Sequence, residues 1–564
     1  MPKRAGQLLF MVMMALFLAV NWRAYRGGYF HDDDLDNLAW TSLVHATDFA
    51  TGLASPLFSP HHFRPAGHFY YWAMGRLAGL RFPWYVAVLH TLHLTNVLML
   101  WILIWRLRIR FPAAAVGVLV FGFHAAVFYA YWRPMYIFDV LCTTFCLMSL
   151  LSYTSGKWVL SLALFWVAYK AKEQAVMLPL ALGAYELWFG ERRWKRLLPF
   201  FAVSLCFGLQ GALRNPYRSP DDAYALRLAP AAVWKSVEFY SSRILFVPYA
   251  GLGLLLLPWF YRDRRVYFGL FTCCILLVPM LLLPNRLYAT YLYLPLTGLA
   301  TAFAALADQR GWTAAALFFA FWVPANALAL QNDEKAELSC ACQRRSYVSQ
   351  LSDFIRRTPH IKSVVFSGRP ACMERWGLEG ALHYLSRRGD LEVRHIDDKD
   401  ASRVLGRVSV ALLTWNSREN KLYSAVRRDR TIGINYATMN YGTPFWVLGE
   451  GWFELEDHHR WTEPRATARL ERPANANQFE IVVMVPSEQI LELGHTSVEV
   501  LLSGRPLGRV ELFRTGKHQI CWHLPPGKAG PEDIEFRVAP PYKRSGEQLH
   551  PLGVAVEAFG FVRR

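Results

Sequence analysis

Four aspartates lie together near the start of the chain, in the stretch "YFHDDDLDNL" at residues 29–38. They follow an apolar run at about residues 5–21, which is close to the length that can cross a membrane. One or two of them suit the N-terminus of a helix beginning near Leu35, because aspartate caps helices and complements their dipole. Carboxylates crowded in a low-dielectric site instead raise one another's pKa, and such a group can act as general base towards a hydroxyl. Both interpretations, helix cap and catalytic group, stay open for Asp32, Asp33, Asp34 and Asp36.

Further ionisable side chains occur in short polar breaks along the chain. They are His61, His62, Arg64 and His68 in "SPHHFRPAGHFYYW", Arg133 in "WRP", Lys172 and Glu173 in "KEQ", and Arg286, Tyr288, Tyr291 and Tyr293 in "PNRLYATYLYLP". Asp139 falls inside an apolar run, where a carboxylate is costly, and Arg133 or Lys172 is its expected partner. Singly, these groups are typical of residues that cap helices or extend to a membrane surface. Together, they would suit an anionic lipid phosphate that leaves when a hydroxyl attacks.

The composition indicates a membrane protein. Of 564 residues, 54% are hydrophobic and only 18% are charged, which is below the roughly 25% usual in soluble domains. The formal net charge of +18 favours nucleic acid only weakly, because the Lys and Arg clusters fall between apolar runs. We therefore expect a lipid bilayer, and no nucleic acid, as the partner of this chain.

Eleven apolar runs predict about eleven transmembrane helices. They lie near residues 5–21, 84–105, 112–131, 134–152, 157–171, 174–190, 196–213, 236–260, 266–283, 288–307 and 311–330. The first run could be a cleaved signal peptide, but it lacks a clear cleavage site, which favours an uncleaved helix. Basic breaks such as "RLRIR", "ERRWKR" and "YRDRR" occur at every second boundary and are typical of the cytoplasmic side. The same parity places the aspartates, Lys172–Glu173 and everything after residue 331 on the outer side.

Two soluble domains are predicted after the transmembrane module at 1–331. The first, at 345–435, has a small α/β pattern with strands "IKSVVFSG", "LEVRHID" and "VSVALLTWN" and a helix "MERWGLEGALHYLSRR". The second, at 445–564, shows short alternating segments typical of a β-sandwich, with a hairpin turn around Gly504–Gly508. It could bind carbohydrate, dock an acceptor or be a structural cap. Its tryptophans are equally compatible with a core or with a sugar-binding surface; they include Trp452, Trp461 and Trp522.

The cysteines do not predict a metal site. The nine cysteines include no CxxC pair, and Cys340 and Cys342 have no histidine nearby. If the soluble part is exported, a disulfide is possible, but the sequence does not identify the pair. No dedicated set of metal ligands is visible, although the aspartates alone could bind Mg²⁺ or Mn²⁺.

The order of the motifs resembles the GT-C superfamily of polytopic glycosyltransferases, whose acidic motif lies in the first outer loop, here "HDDDLDNL". More closely, the chain is similar to bacterial relatives of the transmembrane O-mannosyltransferases that carry tetratricopeptide repeats, a family-39-like group. The similar stretches are "FRPAGHFYYWAMGRLAGLRFPWYVAVLHTLHLTNVLML", "FGFHAAVFYAYWRPMYIFDVL", "AKEQAVMLPLALGAYELW" and "NRLYATYLYLPLTGLA". They cover about residues 5–310 and match at His124 and Asp139.

Several positions depart from the family pattern. Ala125 replaces a proline, Ile137 an arginine and Tyr129 a glutamate, and the tetratricopeptide repeats are absent. These departures affect the prediction of which sugar is transferred and to which acceptor more than the prediction of the class of reaction. The family pattern places an apolar residue after the acidic pair, so Asp33 and Asp34, followed by Leu35, fit its register.

The resemblance implies an inverting hexosyl- or pentosyltransferase in a multi-pass membrane protein. A polyprenyl-phosphate sugar would be the donor, undecaprenyl-linked in a bacterium, and a glycan, lipid or protein hydroxyl outside the cytoplasm would be the acceptor. Asp33 or Asp34 would be the general base or would orient the acceptor. The implied donor-binding or substrate-binding residues are His62, Arg64, Asp139, Lys172, Glu173, Arg286 and Tyr291. In a bacterium, the inner membrane would carry the module, with the C-terminal domains on the periplasmic side.

Two other functions remain open. A transporter or flippase of a lipid-linked glycan predicts polar residues spread through the membrane midplane and paired broken helices. A non-catalytic scaffold predicts that Asp33→Asn and Asp34→Asn leave function intact.

Overall fold

The computed structural model describes residues 2–57, 63–213, 219, 222–310, 312–405, 407–427, 433–543 and 551–563. The chain forms two compact units. The first unit comprises Met1–Arg345 and Cys372–Arg387, and the second comprises Ser346–Ala371 and Arg388–Arg564.

The first unit is built from helices. They are α1 (Pro2–Val20), α2 (Trp22–Gly27), α3 (Asp32–Thr41), α4 (Ala46–Ala54), α5 (Pro65–Leu77), α6 (Phe82–Arg106), α7 (Phe111–Phe123), α8 (Phe128–Trp132), α9 (Ile137–Thr154), α10 (Trp158–Ala171), α11 (Leu178–Trp188), α12 (Leu198–Leu213), α13 (Pro230–Leu245), α14 (Ala250–Gly253), α15 (Leu257–Phe260), α16 (Arg264–Leu281), α17 (Pro295–Arg310), α18 (Trp312–Arg357) and α19 (Arg375–Ser386). Helix α18 continues into the second unit. Short 3₁₀ turns at Pro134–Tyr136, Glu173–Met177 and Ala289–Leu292 precede α9, α11 and α17.

Several of these helices are long and apolar enough to cross a membrane. In the described ranges, four pass this test alone: Phe82–Arg106, Pro134–Thr154, Arg264–Leu281 and Ala315–Arg357. Two bent pairs, Phe111–Phe123 with Ala125–Trp132 and Pro230–Leu245 with Ala250–Phe260, raise the number to six if each is one span. Gly6–Val20 and Trp158–Ala171 are shorter apolar helices. The structure thus has several apolar helices, but the predicted number of eleven spans is not confirmed.

The apolar run predicted at 236–260 is not one continuous helix. It bends by 83° between α13 and α14. Phe246 and Tyr249 at this bend have φ values of 60° and 58°, in the left-handed region that ends a right-handed helix. Hydropathy could not show the bend, because it reports how apolar a segment is and not the direction of its backbone.

Helix α18 extends well past the break expected at residue 331. The stretch from Gln331 to Arg357 contains neither glycine nor proline and is rich in good helix formers, so nothing in it ends the helix. Its charged side chains bind elements of the first unit: Tyr129 Oη donates to Asp333 Oδ1 at 3.1 Å, and Arg133 Nε donates to Glu337 Oε2 at 2.7 Å.

The second unit contains a four-stranded sheet and a pair of further sheets. The first has the order β2-β1-β3-β4, formed by β1 (Ser363–Ser367), β2 (Glu392–His395), β3 (Val410–Asn416) and β4 (Lys421–Arg427). β1 pairs in parallel with β2 and β3, whereas β4 is antiparallel to β3. Helix α20 (Ala401–Leu405) contacts β1 and β3. The three predicted strands are present and β4 is additional, but the helix expected in this domain is α19, which belongs to the first unit.

The remaining strands form two sheets that share one core. They are β5 (Tyr436–Thr438), β6 (Trp452–Glu456), β7 (His459–Thr462), β8 (Arg465–Arg472), β9 (Gln478–Val485), β10 (Thr496–Leu502), β11 (Arg505–Leu512), β12 (Gly516–His523), β13 (Gly530–Ala539) and β14 (Ala555–Val562), with α21 (Ser487–Leu493) between β9 and β10. One sheet has the order β11-β10-β13-β8, and the other β12-β9-β14-β7-β6 with β5 on β14. Phe536 of one sheet and Phe559 of the other pack in the shared core, which makes this region a β-sandwich.

The three tryptophans noted in the sandwich pack against its apolar residues. Trp452 stacks on Phe559 with ring centroids 5.6 Å apart, and Trp461 is buried in a smaller cluster. Trp522 is partly buried against the main core. The predicted β10–β11 hairpin is present, and its turn lies at Ser503–Gly504 because both residues adopt positive φ.

Candidate functional site

The aspartate cluster forms the first turn of α3. This helix begins at Asp32 rather than near Leu35, and His31 is the residue that precedes it. Asp34 Oδ2 accepts a hydrogen bond of 2.7 Å from the backbone N–H of His31. An acidic side chain in the third helical position that reaches back to the residue before the helix is a recognised capping arrangement. The cap interpretation therefore holds for Asp34.

Asp34 is also fully buried and lies against Tyr71. Its Oδ1 accepts a hydrogen bond of 2.7 Å from the Tyr71 hydroxyl, so both carboxylate oxygens are engaged. Burial is the largest influence and raises the pKa of Asp34 to about 7. This carboxyl group therefore titrates near neutral pH without direct access to solvent.

Asp32 is buried beside His31. Its Oδ1 accepts a hydrogen bond of 3.0 Å from the backbone N–H of Glu374, and burial raises its pKa to about 6. Its Oδ2 lies 3.7 Å from His31 Nδ1. Burial lowers the pKa of His31 to about 2, so this histidine is neutral at physiological pH and does not supply a countercharge.

Asp33 is the one member of the Asp32–Asp34 triplet that is not buried. Its Oδ1 accepts a hydrogen bond of 3.0 Å from the indole N–H of Trp376. Within the described part of the chain, its Oδ2 accepts no hydrogen bond. Asp33 thus has an oxygen available to a hydroxyl that approaches from solvent.

Cations and tyrosines form a second cluster around Lys172. Lys172 Nζ lies 2.6 Å from Asp139 Oδ1 and 4.3 Å from the centre of the Tyr291 ring. Arg286 Nε donates to the Tyr291 hydroxyl at 2.7 Å. Of the two partners expected for Asp139, Lys172 is therefore the one that binds it, whereas Arg133 binds elsewhere.

Arg64 joins this cluster through an ion pair with Glu173. Arg64 Nε lies 2.9 Å from Glu173 Oε1, and the guanidinium group lies 5.4 Å from the centre of the Phe138 ring. Burial alone would lower the Arg64 pKa and raise that of Glu173. Their mutual attraction outweighs burial, holding the pKa of Arg64 above and that of Glu173 below its usual range. Both side chains therefore remain charged at neutral pH.

Arg286 differs from the other two cations of the cluster. Within the described ranges, it has no carboxylate partner, and its guanidinium group lies 4.1 Å from the Tyr224 ring centre and 5.2 Å from that of Tyr288. Arg64 and Lys172, by contrast, each bind a carboxylate. The excess positive charge of the cluster therefore resides at Arg286.

Two aromatic side chains connect the aspartates to the cations. Tyr71, which binds Asp34, has its ring centroid 6.3 Å from that of Phe138, over which Arg64 lies. Eight of the predicted site residues therefore lie in one connected region: Asp33, Asp34, Arg64, Asp139, Lys172, Glu173, Arg286 and Tyr291. The ninth, His62, lies outside the described residues.

A buried ion network beside the aspartates was not anticipated from the sequence. Glu337 of α18 binds Arg344 Nη2 at 2.6 Å and Arg133 Nε at 2.7 Å, and both Glu337 and Arg344 are buried. The positive charges of Arg133 and Arg344 act on His31. The uninterrupted helical pattern past residue 331 was the signal that could have indicated these residues.

Two other features of the first unit have a structural explanation. His124 Nε2 lies 2.9 Å from the Ile244 carbonyl oxygen, and its Nδ1 accepts the backbone N–H of Ala126 at 3.1 Å. Cys340 and Cys372 form a disulfide that links α18 to the segment before α19. In the described ranges, no group of three His, Cys, Asp or Glu side chains is arranged to hold a metal ion.

Comparison with known proteins yields distant likenesses only. No family model matches the chain, and no curated protein matches it. The crystal structure of ArnT from Cupriavidus metallidurans bound to undecaprenyl phosphate shares 12% identity over 72% of this chain and 93% of its own, with a TM-score of 0.41. The arabinosyltransferase EmbB from Mycobacterium smegmatis shares 12% identity over 99% of this chain and 65% of its own, with a TM-score of 0.29. Both TM-scores are too low to support a conclusion about the site.

Proposed function

We propose that this protein is an inverting glycosyltransferase of the GT-C type that uses a polyprenyl-phosphate sugar as donor. The observation that carries the proposal is that the acidic turn, which includes the partly exposed Asp33, is joined to a cluster of cations through Asp34, Tyr71 and Phe138. The order of the sequence motifs supports the same class of enzyme, independently of the distant likeness to ArnT and EmbB.

The reaction would be a single displacement at the anomeric carbon. An acceptor hydroxyl attacks this carbon and gives its proton to Asp33 Oδ2 as the new C–O bond forms. The bond between the anomeric carbon and the phosphate oxygen breaks, and its electron pair leaves with the polyprenyl phosphate. Because the acceptor attacks opposite the leaving group, the configuration at the anomeric carbon is inverted.

Arg286 would bind the donor phosphate most directly. It has no carboxylate partner in the described ranges, whereas Arg64 and Lys172 are each paired with one. A cation already held by tyrosines can stabilise the charge that develops on the departing phosphate without large rearrangement. Arg64 and Lys172, whose charges are offset by their carboxylate partners, would help to position the donor.

We infer that the site faces the extracytoplasmic side of a membrane that the chain crosses several times. The basic breaks in the sequence support this orientation, because positive residues concentrate on the cytoplasmic side. If the source is bacterial, the donor lipid is undecaprenyl phosphate and the membrane is the inner membrane. A divalent cation at the aspartates stays a prediction.

The test is sugar transfer in membranes with radiolabelled polyprenyl-phosphate hexoses and pentoses. Asp33→Asn should lower transfer by about 100-fold or more, because removing a general base costs about 10²–10⁴-fold in rate. Arg286→Gln should raise the donor KM by about 10–100-fold, which corresponds to losing a hydrogen bond to a charged group.

Matched variants control for general damage. Asp390→Asn removes an exposed carboxylate of a surface pair, and Arg23→Gln removes an exposed cation. Both should transfer sugar like the wild type. Normal transfer by Asp33→Asn and Asp34→Asn would contradict the catalytic assignment and favour a scaffold. Movement of labelled lipid across the membrane without sugar transfer would favour a flippase.

A further inference from the structure

Helix α19 packs directly on the first turn of α3, although it lies far along the chain. The segment Cys372–Arg387 belongs to the first unit. A Cβ atom at Gly377 would lie 2.1 Å from Asp32 Oδ1, and one at Gly380 would lie 2.6 Å from the backbone nitrogen of Asp36. Only glycine allows so close an approach, so this face of α19 is shaped to fit the aspartates.

The N-terminal part of this helix also binds the aspartates by hydrogen bonds. The backbone N–H of Glu374 donates to Asp32 Oδ1, and Trp376 Nε1 donates to Asp33 Oδ1, each at 3.0 Å. Farther along, the Tyr384 hydroxyl donates to the Gly75 carbonyl oxygen of α5 at 3.1 Å. The Cys340–Cys372 disulfide links the same segment to α18. Helix α19 is therefore an integral wall of the acidic site.

Trp376 is the exposed member of this wall. The residue is 48% exposed, although the only polar atom of its side chain, the indole nitrogen, donates a hydrogen bond to Asp33. The exposed part is consequently the apolar ring, located next to the one aspartate of the triplet that solvent can reach. Binding sites commonly combine an aromatic surface with a few polar groups that fix orientation.

We propose that Trp376 positions the acceptor and that the acceptor hydroxyl belongs to a sugar ring. This inference rests on the proposed glycosyl transfer. The indole N–H holds Asp33 Oδ1, which leaves Oδ2 to accept the proton of the attacking hydroxyl. The indole ring packs against the hydrocarbon face of the acceptor sugar, an arrangement that an extended Ser/Thr peptide would not provide.

Two variants separate these roles in the transfer assay. The acceptor probes are octyl β-glucoside, octyl β-galactoside and a Ser/Thr peptide. Trp376→Phe keeps a ring but loses the N–H, and should lower kcat by about 10-fold with a nearly unchanged glycoside KM. Trp376→Leu loses the aromatic ring as well, and should in addition raise the glycoside KM by about 10-fold. The donor KM should stay constant in both variants.

Trp84, whose side chain is 60% exposed on α6, provides the control. Trp84→Phe and Trp84→Leu should leave all constants unchanged. Each variant is first checked for a normal elution profile and an intact Cys340–Cys372 disulfide. Wild-type kinetics in both Trp376 variants, or transfer to the peptide and to neither glycoside, would overturn the proposal.

A second measurement needs no variant. In the wild-type protein, Trp376 is oxidised with N-bromosuccinimide and followed by peptide mass spectrometry, with and without octyl β-glucoside or octyl β-galactoside. The proposal is supported if a glycoside slows the oxidation of Trp376 at least two-fold and leaves that of Trp84 unchanged. It is contradicted if the glycosides leave the oxidation of Trp376 unchanged or slow that of Trp84 equally. If the wild type transfers no sugar at all, the proposed function fails, while protection still decides whether Trp376 contacts a sugar ring.

Discussion

The two halves of the candidate site stabilise their charges in opposite ways. In the cation cluster, Arg64 and Lys172 are each neutralised by a carboxylate within 3 Å, at 2.9 and 2.6 Å. Among the described residues, the acidic turn has no charged partner of this kind: Asp34 accepts hydrogen bonds from a tyrosine hydroxyl and a backbone N–H, and Asp33 accepts one from an indole.

This difference fits two kinds of chemistry. The ion pair with Glu173 keeps Arg64 charged, and the pair with Asp139 fixes the position of the Lys172 ammonium group. In the acidic turn, burial outweighs the neutral hydrogen-bond donors and raises the pKa values, to about 7 for Asp34 and about 6 for Asp32. The acidic turn can therefore exchange protons near neutral pH, whereas Arg64 and Glu173 stay charged there.

The largest effect on stability is expected when one partner of an ion pair in the cation cluster is removed. Lys172→Met should lower the free energy of unfolding by about 3–5 kcal/mol, because it leaves the buried Asp139 without a partner. Thermal unfolding in detergent micelles measures the effect. The double variant Lys172→Met/Asp139→Leu should recover most of the loss, because no buried charge remains. Equal loss in the single and double variants would show that packing, not charge, is responsible.

A smaller effect on the free energy of unfolding is expected from a steric clash between α19 and the acidic turn. Gly377→Ala introduces a Cβ atom 2.7 Å from Asp32 Cα, so α19 must move. We expect a loss of about 1–3 kcal/mol in unfolding free energy, as for other overpacked contacts. Gly253→Ala is the matched helical control, since its added Cβ meets nothing within 4 Å. Similar stability of the two variants would mean that α19 is not closely docked on α3.

The smallest effect concerns the pH dependence of stability. The pKa of Asp34 is raised from 3.8 to about 7, so the folded state binds this proton more tightly than the unfolded state. Stability therefore rises as pH falls through this window, by about 1 kcal/mol between pH 7 and pH 6. Asp34→Asn should lose this gain, because an amide does not titrate, while Asp32 continues to contribute. Identical pH profiles of wild type and variant would show that Asp34 titrates outside this range.

The sequence alone indicated many of the parts. Period-2 alternation identified most strands of the β-sandwich, and the residue types in the breaks identified the aspartates and the cations. Strands β5, β6, β7 and β12 were not identified from the sequence. Strand β12, "GKHQICWH", lies at a sheet edge and has few apolar residues. Helix α19 was recognised as a helix from its spacing, but its place beside Asp32 and Asp33 was not.

Local patterns determine local structure, so the chain by itself specified the apolar helices, the capped acidic turn and the types of residue available for chemistry. Partners distant in sequence depend on packing, which no local pattern records. Only the tertiary structure decided that Asp139 binds Lys172, that Glu337 binds Arg133, and that Trp376 lies more than three hundred residues along the chain from the aspartate it contacts. The physical reason is that a buried charge is costly unless it is paired, and the fold determines which oppositely charged group lies within hydrogen-bonding distance.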